Sequence, residues 1–160
     1  MFHVILAILA LALIALDQFT KYLATIHLAP VREIVIIDGV LSLFYHTNAG
    51  MAFGLFQGGR WFFVIFTVLI LAVLGYNYIT LPKDRIHNFI RAMLAVLVAG
   101  AVGNFIDRVR QGYVVDFIFF RLINFPIFNV ADILIVCSVI GMLIASVFVM
   151  RDEAKENKDA

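Results

Sequence analysis

Charge is scarce in this sequence. Of 160 residues only 12 are Lys or Arg and 11 Asp or Glu, while 64% are apolar and the mean hydropathy is +1.03. Soluble domains average roughly 25% charged and 45–50% apolar residues, so there is too little polar surface here to cover a water-facing globule. A net charge of +1 removes nucleic acid as a partner, which needs a basic face. A single cysteine, Cys137, excludes a disulfide framework and Cys-based zinc sites. It also lies far from the first apolar stretch, where a lipoprotein signal would need its cysteine. The four histidines, His3, His27, His46 and His87, are scattered without an H-E-x-x-H pattern, which argues against a zinc protease. There is no G-x-S-x-G elbow, and a Ser/Lys hydrolase would have to pair Ser42 with Lys21, because Ser138 and Ser146 fall inside an apolar stretch. Cys137 reads as a small packing residue of the same stretch. No metal or cofactor is expected.

Long apolar runs are what the sequence does have. A hydrocarbon core of about 30 Å takes roughly 20 residues of helix to cross, and four stretches qualify: about 3–26, 61–79, 89–106 and 130–150. Four crossings predict a single integral membrane domain with both termini on one side. The connections 27–60 and 107–129 then lie on the other side, and the tail 151–160 reads as a solvated, frayed end. The first stretch is not expected to be a cleavable signal, since it begins with His3 rather than Lys or Arg, and Asp17 to Lys21 stands where a small-residue cleavage site would be. Counting Lys and Arg at the two membrane faces gives six against six, which leaves the orientation open. In the first connection, Ile34 to Ile37 and Val40 to Tyr45 flank Asp38-Gly39, a pattern that predicts a β-hairpin with a type I′ turn. This small β-rich segment, about 30–58, should lie on the membrane surface, with Trp61, Phe62 and Phe63 in the aromatic belt. The fold expected is membrane all-α with a small β element.

Ionisable groups in or beside spans are costly and become functional candidates by default. Asp17 and Lys21 are spaced i,i+4 and read first as a salt bridge holding the end of helix one in the interface. The run Asn48-Ala49-Gly50-Met51-Ala52-Phe53-Gly54 reads equally as an ordinary turn and as a substrate-gripping loop. Asn104, Asp107 and Arg108 project from neighbouring positions at the end of the third helix, where Asp107 is expected to pair with an arginine. Ala99 and Gly103 form a small-xxx-small packing pair. Asp116 has no local cation among Val114, Val115, Phe117 and Ile118, and an apolar setting raises a carboxyl pKa. Asn129 and Asp132 sit at the N-cap and N3 positions of the fourth helix, which is sufficient reason for both. Two aspartates at one membrane edge in such different settings are also suited to titrate apart, one as base toward water and the other as acid toward a leaving group.

Asp17-Gln18-x-x-Lys21, Asn48-x-Gly50-x-Ala52-Phe53, Gly103-Asn104-Phe105-Ile106-Asp107-Arg108, Gly112-x-Val114-Val115-Asp116-Phe117 and Phe128-Asn129-x-Ala131-Asp132 resemble, in order, the motifs of bacterial lipoprotein signal peptidase (signal peptidase II). The resemblance implies an aspartyl endopeptidase of the bacterial inner membrane that removes the signal peptide of diacylglyceryl-modified prolipoproteins just before the lipidated cysteine. It implies Asp116 and Asp132 as the catalytic pair, with Asn48, Gly50, Asn104, Arg108 and Asn129 as active-site support. Asp17, Lys21 and Asp107 would be structural or stabilising. It further implies cytoplasmic termini, contact with membrane lipid, sensitivity to cyclic peptides such as globomycin, and, as the simplest assembly, a monomer. Two features depart from the family pattern: Ile133 stands where a small polar residue is common, and the segment 117–131 is short. Two other classes compete: a small ion-coupled transporter with Asp17, Lys21, Asp107 and Arg108 along its path, and a non-catalytic assembly factor using only the hairpin and the small-residue face.

Overall fold

The structure, a computed structural model, describes residues 1–50 and 58–159, with 152–159 described by their backbone alone. Helix α1 (Phe2–Leu23) runs on through a π-helical turn, Ala24–Leu28, and is followed by α2 (Arg60–Thr80), α3 (Arg85–Gln111) and α4 (Val130–Asp159). All four contain windows long and apolar enough to cross a membrane. The frayed tail expected after Arg151 is instead a continuation of α4.

Local chemistry sets the helix ends. The Asp84 side chain caps α3 by accepting the His87 N–H at 2.9 Å, and Gly112 ends it at a φ of +85°, where a side chain would be strained. Arg91, only 3% exposed, fastens the α2–α3 turn by donating to the carbonyls of Tyr78, Leu81 and Pro82. Close helix contact depends on small residues in the middle of α3. A Cβ on Gly100 would come within 2.6 Å of the Ala131 carbonyl oxygen, and one on Gly103 would run into the Asp17 carboxylate. Ala99 and Ala131 are fully buried. With little hydrophobic drive between helices in lipid, such close packing and interhelical hydrogen bonds hold a bundle together.

Strands β1 (Glu33–Ile37), β2 (Leu41–Asn48) and β3 (Val114–Phe120) form an antiparallel sheet in that order. The expected hairpin is present, but its turn differs: Gly39 has a φ of +67°, whereas Asp38 is not among the positive-φ residues. Type I′ needs positive φ at both central positions, so the turn is of another type, and a register shift between Val35 and Ile37 absorbs the difference. The sequence pattern does not predict the third strand, whose aromatic and β-branched run reads only as the apolar setting of Asp116. Val115 and Phe117 pack with Ala24 and Leu28 of the π-helical turn, which seats the sheet on the end of α1 away from the termini. At the sheet's rim Arg121 pairs with Glu33, donates to Ser42 Oγ at 3.2 Å, and lies over the Phe119 ring. That pairing holds the Glu33 carboxyl below the usual carboxylate range. Because the pair is open to water, Arg121→Met should leave the melting temperature within a few degrees of the wild type in a thermal melt; a large drop would show that this rim holds the sheet in place.

Candidate active site

The third strand and the start of α4 bring Asp116 and Asp132 to one place. Asp116 is opposite His46 in the β2–β3 ladder, just past a register shift between Leu43 and His46, and it is 2% exposed. Asn48 Nδ2 donates to its Oδ2 at 3.0 Å, and Asn129 Nδ2 donates to its Oδ1 at 2.6 Å. Burial, and then the neighbouring Asp132 carboxylate, push the Asp116 carboxyl up to about 7 against those two hydrogen bonds.

Asp132 and Asn129 cap α4 reciprocally. The Asp132 N–H donates to Asn129 Oδ1 at 3.1 Å, and the Asn129 N–H donates to Asp132 Oδ2 at 3.0 Å. This is the capping-box geometry; it leaves Asp132 Oδ1 to accept from Asn104 Nδ2 at 2.8 Å. Asn104 Oδ1 accepts in turn from Asn129 Nδ2 at 3.1 Å. Two asparagines thus connect the two aspartates and fix the orientation of both carboxylates. The structural and chemical readings of Asp132 are therefore compatible: one oxygen caps the helix while the other belongs to the site.

Behind this layer lies a buried ion cluster. Lys21 Nζ donates to Asp17 at 2.9 Å, to Asp107 at 3.0 Å and to Asn104 Oδ1 at 2.9 Å, which accounts for all three ammonium protons. The expected i,i+4 pair is thus present, and with Asp17 and Lys21 0% and 3% exposed it is buried among the helices. The partner of Asp107 is likewise Lys21, not an arginine. Each acid also holds the backbone beside a candidate catalytic residue: Asp17 Oδ1 accepts from the Ala131 N–H at 2.9 Å, and Asp107 Oδ2 from the Val115 N–H at 3.3 Å. Gln18 was not singled out from the sequence, although it lies inside the first motif. Its amide donates to Asp17, Asp107 and the Gly103 carbonyl at 3.1–3.2 Å.

A cavity of about 750 Å³ opens over the two aspartates, with Asn48, Gly50 and Arg108 also on its polar side. Gly50 donates its N–H to Asn48 Oδ1 at 3.1 Å, a local turn that holds the Asn48 amide toward Asp116. Ala52, Phe53 and Gly54 of that motif lie outside the described residues. The Arg108 guanidinium carbon is 4.9 Å from the Phe63 ring centroid, which steadies a cation at the cavity edge. Apart from Asn124, the remaining wall is apolar, with Ile123, Phe125 and Phe128 on one side and Ile133, Val136 and Cys137 of α4 on the other. Cys137, expected as a packing residue, is exposed and lines this wall. A carboxylate pair at the polar end of a long apolar trough suits a substrate with one scissile polar bond and much apolar surface.

Comparisons with known proteins agree with this architecture. The family model for signal peptidase (SPase) II matches residues 9–148. A lipoprotein signal peptidase of Brevibacillus brevis is 44% identical over 153 residues, covering 94% of this chain and 97% of that protein. One from Caldanaerobacter subterraneus is 48% identical over 126 residues, covering 78% and 83%. Two solved bacterial membrane enzymes are similar in structure. One has a TM-score of 0.78 at 35% identity over 94% of this chain and 90% of its own; the other has 0.77 at 37% over 88% and 90%. The chain therefore belongs to the signal peptidase II family, the membrane-embedded peptidases that remove signal peptides from prolipoproteins.

Proposed function

We propose that the chain cleaves diacylglyceryl-modified prolipoproteins immediately before the lipidated cysteine by an aspartyl mechanism carried by Asp116 and Asp132. The supporting observation is the asymmetry of two carboxylates on one cavity. Asp116 is buried on a strand between two asparagine amides, with its carboxyl pushed up to about 7, whereas Asp132 lies in the first turn of α4 with one oxygen engaged in the helix cap. Asp132 accepts a proton from water as the oxygen attacks the carbonyl before the cysteine. Asp116 gives its proton to the departing amine nitrogen, and the carbon–nitrogen bond breaks. Transfer of the captured proton from Asp132 to Asp116 restores the starting state. Asn104 and Asn129 hold the two carboxylates, Asn48 holds Asp116 from the opposite side, and Arg108 offers positive charge at the mouth. The apolar wall would receive the hydrophobic signal segment and the acyl chains. This reading sets the protein in the bacterial inner membrane as a monomer with cytoplasmic termini, open to cyclic peptide inhibitors such as globomycin.

The test is a gel shift of a diacylated precursor incubated with purified protein, with and without chelator. Cleavage only of the lipidated form, undiminished by chelator, is expected. Loss on chelation would point to a metal enzyme, and no cleavage at all to a transporter or assembly factor. The pH dependence carries a sign. Asp116 must hold its proton to act as acid, so turnover should fall as pH rises through about 7, approaching tenfold per unit above it. Because coupled carboxylates titrate as a pair, the fall belongs to the dyad as a whole. A rate constant flat from pH 6 to pH 9 under single-turnover conditions would contradict the acid role.

A further inference from the structure

A second cavity, of about 540 Å³, lies at the other end of the bundle, where α1 begins, α2 ends and α3 begins. Its polar wall is Lys83, Arg91 and the pair His3–Tyr78, whose Nδ1 and Oη are 2.6 Å apart; its apolar wall is Phe2 and Ile79. Arg91 is almost wholly buried, and its hydrogen bonds go only to neutral acceptors: the carbonyls of Tyr78, Leu81 and Pro82, and Asn88 Oδ1. These occupy four of the five guanidinium N–H groups, so one donor remains. Among the described residues no carboxylate forms an ion pair with Arg91 or Lys83, and neighbouring Asp84 is engaged with His87. Exposed Lys83 and buried Arg91 therefore face one cavity with no compensating acid among the described residues, and a buried charge such as that of Arg91 is costly without a counter-charge.

The cavity's position selects among anions. Phe2 and Ile79 are exposed at the ends of two membrane spans, so one wall continues into the lipid-facing surface. An inorganic anion makes no use of that wall, whereas a lipid fills both halves. Basic pockets between transmembrane helices are suited to phosphodiester headgroups. We propose that this cavity binds an anionic phospholipid, with its phosphodiester at Lys83, Arg91 and the His3–Tyr78 pair and the start of an acyl chain against Phe2 and Ile79. The site is independent of the aspartates.

The test titrates the purified full chain in detergent with phosphatidylglycerol, phosphatidylcholine or inorganic phosphate, reading retained lipids by native mass spectrometry and the midpoint of thermal unfolding. Phosphatidylglycerol should be retained preferentially and raise the midpoint. Lys83→Gln should cut that preference about fivefold, the value of one cation beside an anionic headgroup. Lys83→Arg should keep it, as should Arg85→Gln, which alters a charge outside the cavity wall. Equal retention of the two lipids would overturn the proposal, as would an equal loss in Arg85→Gln, which would mark diffuse surface charge. Stabilisation by inorganic phosphate alone, matching that by lipid, would instead identify a free-anion site. Cleavage of precursor in lipid-free detergent should be the same in all three variants, separating this site from the proposed dyad.

Discussion

Asp116→Asn and Asp132→Asn should each reduce cleavage of a diacylated precursor by at least about 10³-fold, since each removes one of two groups that move protons in the same step. The substitutions conserve shape, so the loss can be separated from unfolding, and the two variants should differ in stability in a way that reports their surroundings. Asp132→Asn keeps one oxygen for the Asn129 N–H but turns an amide nitrogen toward Asn104 Nδ2, which itself donates to Asp132. One hydrogen bond is lost in a partly buried layer, at a cost of about 1–3 kcal/mol. Asp116→Asn meets a similar clash with Asn48 or Asn129, but it also removes a carboxyl whose proton is held more tightly in the folded chain. With a folded value of about 7 against an ordinary 3.8, the folded state keeps a proton that the unfolded chain releases between those values. Wild-type stability therefore falls as pH rises from about 4 to 7, by up to roughly 4 kcal/mol, and levels off above. The Asn variant lacks that slope, so its stability relative to wild type should improve from pH 5 to pH 8. Thermal melts at the two pH values, beside the gel-shift assay, check both claims. Turnover retained by either variant would remove the dyad, and parallel melting shifts would remove the assigned burial of Asp116.

The features legible in the sequence are those that depend on short stretches of chain. Hydropathy over about 20 residues marks the four spans, and the capping pair Asn129 and Asp132 is visible because its members are three residues apart. The sheet was only half legible: Ile34 to Tyr45 shows two strands around a glycine turn, but β3 pairs with β2 across the whole of α2 and α3. Nothing local distinguishes Val114 to Phe120 as a third strand from an apolar loop. The ion cluster is the clearest case. Asp17 meets the Ala131 N–H across 114 positions, and Lys21 reaches Asp107 on a different helix. Within the third motif, an arginine beside Asp107 was the nearest available cation, so the sequence pointed to the wrong partner. Gly103 read as a packing residue, but its lack of a Cβ makes room for the Asp17 carboxylate. That role depends on how the helices meet.

Lys21→Met should be the most destabilising single change in the chain outside the glycines. In the wild type the ammonium holds two buried carboxylates and the Asn104 amide with all three protons. Removing one partner of a buried ion pair costs about 3–5 kcal/mol, mostly because the other charge is left uncompensated; here two such charges remain. The hydrogen bonds of Gln18, Val115 and Ala131 still reach them, but none of these neutral donors supplies the missing positive charge. The cluster then has two outcomes. It opens to water, or it keeps its shape at the full cost. Opening releases Ala131 and Val115, the residues preceding Asp132 and Asp116, and frees Asn104 from the cation that fixes its amide. Activity should therefore fall together with stability, although Lys21 does not line the cavity. Adding Asp107→Asn to Lys21→Met should recover part of the stability by leaving one buried acid instead of two. A double variant less stable than Lys21→Met would mean that the Asp107 bond to the Val115 N–H outweighs the charge it carries. A Lys21→Met protein melting within a few degrees of wild type would show that the lysine is not what holds the two aspartate-bearing segments together.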